Sequence, residues 1–114
     1  MIAWFNRLFV RGTAPSAPAL KPVEAATLRA WLDEGDVLLV DIREPAEHAR
    51  ARLPHSLLVP LSRYPERLDT PRHARRVVFY CQSGRRTRMA AGRLARSTSL
   101  PAFMLEGGLG RWRD

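Results

Sequence analysis

Apolar residues in this chain fall in short runs, set apart by stretches rich in Pro, Gly or charge. Val37-Leu38-Leu39-Val40, Leu57-Leu58-Val59, Val77-Val78-Phe79-Tyr80 and Ala102-Phe103-Met104-Leu105 are continuous apolar or aromatic segments. Runs of that length read as strands buried on both faces, the first extending to Ile42 with Asp41 near its end. Between them the spacing turns helical. Pro22 is placed to open a helix, because its missing N–H costs nothing in a first turn. Ala26, Leu28, Trp31 and Leu32 then share one face until Gly35 stops it. A short helix over residues 44–49 carries Pro45 near its start, and Ser62 is placed to cap another. Residues 71–76 form a polar connector. A helix runs from about Arg85 to Ser97, and Leu109–Trp112 makes a last helical turn after the tight turn Glu106-Gly107-Gly108. Short buried strands alternating with helices predict the α/β class with a parallel sheet. Ligands sit at the carboxyl ends of such strands, where Asp41, Cys81 and Glu106 all fall.

The chain has 114 residues, enough for a single core and too few for two. Residues 11–19 are a Pro/Ala/Ser linker without periodicity. The expected division is therefore an appended segment and linker over 1–19 and a folded domain over 20–114. On a helix, Ile2, Phe5 and Phe9 would share one face of that segment. Such a face suits docking on a partner, on the chain's own domain or on a membrane surface. No stretch approaches the roughly 20 apolar residues of a membrane-spanning helix, and the start lacks the pattern of a secretory signal.

Net charge is +8, with arginine supplying nearly all of the positive charge and Lys21 the single lysine. That balance points to an anionic partner. No basic stretch is interleaved with aromatics as base-stacking surfaces are, so nucleic acid is not an expected partner. Cys81 is the only cysteine. It excludes an internal disulfide and a cysteine-rich metal site, and fits a reducing, cytoplasmic setting. His48, His55 and His73 lack metal-ligand spacing and read as surface or turn histidines. No metal or cofactor is expected.

Cys81 ends the strand Val77–Tyr80 and is followed by Gln82-Ser83-Gly84-Arg85-Arg86 and an Ala-rich helix. A strand that ends in a thiol and turns straight into a helix aims backbone N–H groups at the sulfur, with guanidinium charge nearby. Those conditions lower a thiol pKa and make a thiolate at neutral pH. The plainer reading, a small buried hydrophobe, leaves the Ser-Gly turn and paired arginines without a role.

Four motifs in order then resemble the single-domain rhodaneses, a sulfurtransferase family, from about Leu20 to Trp112. Asp41-Ile42-Arg43-Glu44-Pro45-Ala46-Glu47-His48 is similar to the family's Asp-x-Arg-Glu-Pro-x-Glu-Tyr segment. Leu53-Pro54 and Val59-Pro60-Leu61 resemble its Gly-His-Ile-Pro-Gly-Ala stretch and the strand after it. Cys81 to Arg86 resembles its active-site loop, and Leu105 to Trp112 its closing Glu-Gly-Gly-x-x-x-Trp. The resemblance implies a three-layer domain, a central parallel sheet with helices on both faces. It also implies an enzyme that moves a sulfane sulfur, from a donor such as thiosulfate to a thiol or cyanide acceptor, through a Cys81 persulfide. A protein partner in a sulfur relay is a further expectation. By resemblance the backbone of Gln82, Ser83, Gly84, Arg85 and Arg86 cradles the persulfide, and Arg86 offers a planar fork to an oxyanion. Asp41 and Arg43 support the site, read first as an ion pair at the strand-to-helix turn. Glu106 reads as a turn-fixing carboxylate and Trp112 as a core plug.

Ala51-Arg52-Leu53-Pro54-His55-Ser56 departs from the family by replacing both glycines, which costs of order 1 kcal/mol each wherever a positive φ is kept. His48 stands in place of an aromatic, and Leu58 where a polar residue is common. Two rival readings remain. A cysteine-dependent phosphatase or arsenate reductase needs Cys-x5-Arg, but Thr87 holds that position and Arg86 gives the shorter Cys-x4-Arg. A non-catalytic binding module on the same fold typically lacks the cysteine.

Overall fold

The computed structural model describes residues 19–113. The appended segment over 1–10 and most of the linker lie outside the described residues. Five strands form one sheet: β1 (Lys21–Val23), β2 (Val37–Asp41), β3 (Leu57–Leu58), β4 (Arg76–Tyr80) and β5 (Ala102–Leu105). Their order is β1-β5-β4-β2-β3, and every pairing is parallel. The helices are α1 (Ala25–Glu34), α2 (Pro45–Arg50), α3 (Arg85–Met89), α4 (Ala91–Arg96) and α5 (Gly108–Arg111), with a 3-10 turn over Leu61–Arg63.

Side-chain alternation along β4 explains why this strand reads as an unbroken apolar run. Val77, Phe79 and Cys81 enter one core with Leu94, Tyr64 and Leu68. Val78 and Tyr80 enter the other with Leu28, Leu53 and Leu105. A strand covered on both faces needs apolar residues at every position. Each fully buried Val or Phe contributes about 1.5–3 kcal/mol relative to exposure, so β4 is the strand on which both cores rest. Trp31 meets Phe103 edge to face at 4.8 Å on the α1 side, and Tyr64 meets Phe79 at 6.3 Å on the α4 side.

Several sequence expectations change. Pro22 lies in strand β1, not at the start of a helix, and α1 begins at Ala25. Because β1 is an edge strand paired only with β5, a residue with no N–H to donate is tolerated there. Ala26 is exposed, and Ala25 packs on the core in its place. Gly35 closes α1 as expected, at φ 79°, donating to the carbonyls of Trp31 and Leu32. Ser62 does not cap. It sits inside the 3-10 turn and its hydroxyl donates to Glu44 Oε1 at 2.7 Å. The helix expected from Arg85 to Ser97 is two segments meeting at Ala90 (φ −98°, ψ 10°), which divides a loop-facing part from a core-facing part. Arg76 belongs to β4 rather than to the connector before it.

The two replaced glycines behave differently. Ala51 has φ −163°, extended backbone open to any residue. His55 sits at φ 64°, the left-handed region. Tyr80 holds this turn in place: its hydroxyl accepts from the Leu53 N–H at 3.1 Å and lies 2.9 Å from Ser56 Oγ. His55→Gly should therefore stabilise the domain by roughly 0.5–1 kcal/mol, the left-handed cost outweighing the extra freedom of glycine in the unfolded chain. Ala51→Gly should destabilise by roughly the same amount. Urea unfolding midpoints measure both, and equal signs would show that the turn relaxes away from φ 64° in solution.

Candidate active site

The parallel register sets the site. Asp41 pairs with Tyr80 across β2 and β4, and the Ile42 N–H donates to the Tyr80 carbonyl at 3.0 Å. The chain segments after Asp41 and after Tyr80 thus leave the sheet side by side. Cys81 follows β4 directly and is 1% exposed. This corrects the partial exposure that a loop at a strand end suggests: the side chain points into the core beneath α3 and α4.

Around the sulfur the loop curls on itself. The Gly84 N–H donates to Cys81 Sγ at 3.1 Å. Gly84 takes φ 94°, which a side chain would resist. Thr87 Oγ1 stands 3.9 Å from Sγ, but its hydroxyl proton goes to the Gly84 carbonyl at 2.8 Å, closing the curl. Burial disfavours the thiolate. The backbone N–H groups of Thr87, Gly84 and Ser83 outweigh it and hold the Cys81 thiol below its ordinary value. The lowering comes from fixed backbone dipoles rather than from solvent or a long helix, α3 being five residues.

The turn after β5 presses on the back of this loop. The Leu109 N–H donates to the Cys81 carbonyl and the Gly110 N–H to the Gln82 carbonyl, both at 2.9 Å. Gly108, at φ 62°, comes so near that an added Cβ would stand 2.5 Å from the Cys81 carbonyl oxygen. Only glycine permits this approach. The Glu106 carboxylate is exposed, and the turn is fixed by main chain instead, the Glu106 N–H donating to the Val23 carbonyl at 2.9 Å. Trp112 packs half-buried on the α1-side core, with the Arg29 guanidinium 4.2 Å over its ring.

Asp41 and Arg43 form a buried pair, 0% and 2% exposed, at 2.8 Å. Arg43 Nε also donates to Asp41, Nη2 to the Ala51 carbonyl, and Nη1 to Gln82 Oε1 at 3.1 Å. His48 is not a surface residue: its Nδ1 lies 2.9 Å from Asp41 Oδ2. Burial raises the Asp41 carboxyl, but bonds from Arg43 and His48 win and hold it below the ordinary carboxylate value. Arg86 places both guanidinium nitrogens on Glu47, at 2.9 Å each. That fork holds Glu47 down at about 2 from its ordinary 4.5. Glu47 Oε1 also accepts the Glu44 N–H at 3.0 Å, so one carboxylate starts α2 and clasps the loop arginine. Arg85 and Ser83 face outward. A cleft of about 530 Å³ beside the loop is lined by Arg43, Glu47, Arg50, Ala51, Gln82 and Leu109.

Sequence reasoning placed the cysteine loop, Asp41 and Arg43, and the structure brings them within one cluster. It did not assign Glu47, Thr87 or Gly108 to the site. The Pro45-x-Glu47 spacing signals the first turn of α2, but nothing local indicates that Arg86 lies opposite.

A thiol at the end of a parallel strand, curled in its own backbone and backed by a Gly-Gly turn, defines a cysteine-loop α/β domain. The rhodanese-like domain model matches residues 24–114. A sulfurtransferase of Allochromatium vinosum is 40% identical over 80 residues, 70% of this chain and 75% of that protein. The solved thiosulfate sulfurtransferase of Pseudomonas aeruginosa superposes with a TM-score of 0.73 at 27% identity, covering 96% of this chain and 20% of that one. A rhodanese homologue from Thermus thermophilus gives 0.58 at 32% identity, over 79% of this chain and 98% of that one. The chain belongs to the rhodanese family of sulfurtransferases.

Two measurements test the electrostatics. The rate of Cys81 alkylation by iodoacetamide, followed against pH, should show a midpoint below the free-thiol value of about 8.5. A midpoint at or above it would mean that burial outweighs the N–H cradle. Glu47 has its folded pKa depressed, so its stabilisation is full above about 4.5 and is lost as pH falls through about 2. Glu47→Gln should flatten the fall of stability across that window in urea titrations, while an unchanged slope would place the acid sensitivity elsewhere.

Proposed function

We propose that Cys81 carries sulfur as a persulfide between an anionic donor and a nucleophilic acceptor. The observation that carries this reading is the Gly84 N–H aimed at Cys81 Sγ within a curl whose other N–H groups favour the thiolate. With thiosulfate, the Cys81 thiolate attacks the sulfane sulfur. The S–S bond of the donor breaks, sulfite leaves with the electron pair, and Cys81 bears the new sulfur. An acceptor such as cyanide then attacks that outer sulfur, and the Cys81 thiolate departs with the pair of the broken bond. Sulfite and persulfide are both anionic, and fixed N–H donors stabilise them without reorganisation. Gln82, Ser83, Gly84, Arg85 and Arg86 contribute the cradle's backbone. Arg86 takes the oxyanion end of the donor by sharing or releasing Glu47. Asp41 and Arg43 act through Gln82, holding the loop's first residue.

A phosphoryl-transfer reading finds less support. Its loop needs an arginine at the position where Thr87 is buried. The physiological setting consistent with a lone working thiol is a reducing one, such as the cytoplasm.

Thiosulfate treatment of the whole protein should add about 32 Da, one sulfur atom, at Cys81, removed by cyanide or dithiothreitol. Cys81→Ser should show neither adduct nor thiocyanate formation. Intact-protein mass spectrometry and a thiosulfate:cyanide assay measure these. Turnover surviving in Cys81→Ser would end the persulfide reading.

A further inference from the structure

The exposed face of α3 adjoins the Cys81 loop and is not used by the chemistry above. Thr87 points inward and Arg86 turns to Glu47. Arg85, Arg88 and Met89, three and four positions apart, are left on the outer face. Met89 is 78% exposed, the more exposed of the two large hydrophobics on the described surface. Across the loop, Arg111 lies over Gly107, its Cδ 2.2 Å from where a Cβ on that glycine would stand. Arg88 Nη1 lies 3.5 Å from the corresponding point on Gly84, which is also 3.5 Å from the Gly107 nitrogen. Arg88 and Arg111 therefore flank one junction, where the Cys81 loop meets the turn after β5.

Among the described residues the ion pairs join Asp41 with Arg43 and His48, Arg76 with Glu34 and Asp36, and Arg86 with Glu47. Arg85, Arg88 and Arg111 take part in none. Glu24 and Glu106 line the cleft beside Arg111 and are outnumbered there, since Arg29 and Arg113 line it too. Arg85 and Arg88 share the face of the exposed Met89 and Arg111 stands across the junction, and these three guanidinium groups outside the ion pairs make a surface whose complement is acidic with an apolar spot. Among the described residues no exposed aromatic accompanies them, so base stacking finds no platform there. Cys81 is buried, which suits an acceptor thiol carried on a slim segment.

We propose that this face docks an acidic protein segment bearing a cysteine, which takes the sulfur from Cys81. The inference rests on the persulfide reading above and names the acceptor for it. The segment's thiolate attacks the outer sulfur of the Cys81 persulfide. The bond between that sulfur and Cys81 Sγ breaks, Cys81 leaves as thiolate, and the segment carries the new persulfide. No further oxidant or reductant is consumed.

The test uses the full chain, persulfidated with thiosulfate, and three hexapeptides in which one cysteine is flanked by glutamates, glutamines or lysines. Each transfer rate is normalised to that peptide's rate with a small disulfide, which removes differences in intrinsic thiol reactivity. The acidic peptide should react about tenfold faster than the glutamine peptide at low salt, with the advantage shrinking as salt rises. Arg88→Glu with Arg111→Glu should abolish the preference while leaving cyanide turnover unchanged. Should that double variant misfold, Arg88→Gln with the salt titration of the unaltered protein reads the same effect. Binding of the acidic peptide with serine in place of cysteine, followed by fluorescence anisotropy, needs no sulfur chemistry. It separates loss of docking from failure of the persulfide reading. Equal normalised rates for the three peptides overturn the proposal. So does competition by a short single-stranded oligonucleotide but not by polyglutamate, which would assign the face to nucleic acid.

Discussion

One buried guanidinium organises this end of the molecule. Arg43 is enclosed almost completely, and it meets Asp41, the Ala51 carbonyl, the Gln82 side chain and, at 5.6 Å, the Tyr80 ring. Those partners belong to β2, to the end of α2, to the cysteine loop and to β4. A buried charge is costly unless paired and hydrogen-bonded, and removing one partner of such a pair typically costs about 3–5 kcal/mol. The segments leaving the sheet therefore have little freedom to separate. The loop inherits its position from this constraint at Gln82 and from main-chain bonds at Cys81 and Gln82 on its other side.

The loop itself depends on two glycines with different tasks. Gly84 supplies the left-handed φ that turns its N–H onto the sulfur. Gly108 supplies absence: a methyl group there would overlap the Cys81 and Gln82 carbonyls. The first determines the sulfur's electrostatics and the second the rigidity behind it. A thiol this deeply buried would ordinarily stay protonated. It is pulled the other way because the opposing dipoles are main-chain groups that cannot reorient.

Charge is distributed with a comparable division. Arginines near the cysteine are of two kinds, those consumed by the fold and those left over. Arg43 and Arg86 are bound to Asp41 and Glu47. Arg85, Arg88 and Arg111 are exposed and outside the ion pairs, so the field around the loop stays positive although its nearest cations are neutralised. An excess of arginine in the composition thus becomes, at this edge of the sheet, a surface with a sign.

The amino-acid pattern marks out the buried strands β2, β4 and β5, because an element covered on both faces needs uninterrupted apolar residues and so shows itself locally. It determined the position of Cys81 at a strand end, the glycine-closed end of α1, and the four motifs that place the chain in its family. Tertiary structure alone decided the rest. Pro22 looked like a helix start because a short edge strand carries no periodicity to oppose that reading, and only the pairing with β5 makes it a strand. Whether Ala51 or His55 would bear the left-handed strain depended on a turn held by Tyr80, a residue of the distant strand β4. That Arg86 clasps Glu47, 39 positions away, and that Gly108 lies against Cys81, are contacts between distant segments. Local pattern reports which residues are buried; it does not report which of them meet, since that follows from strand order and register.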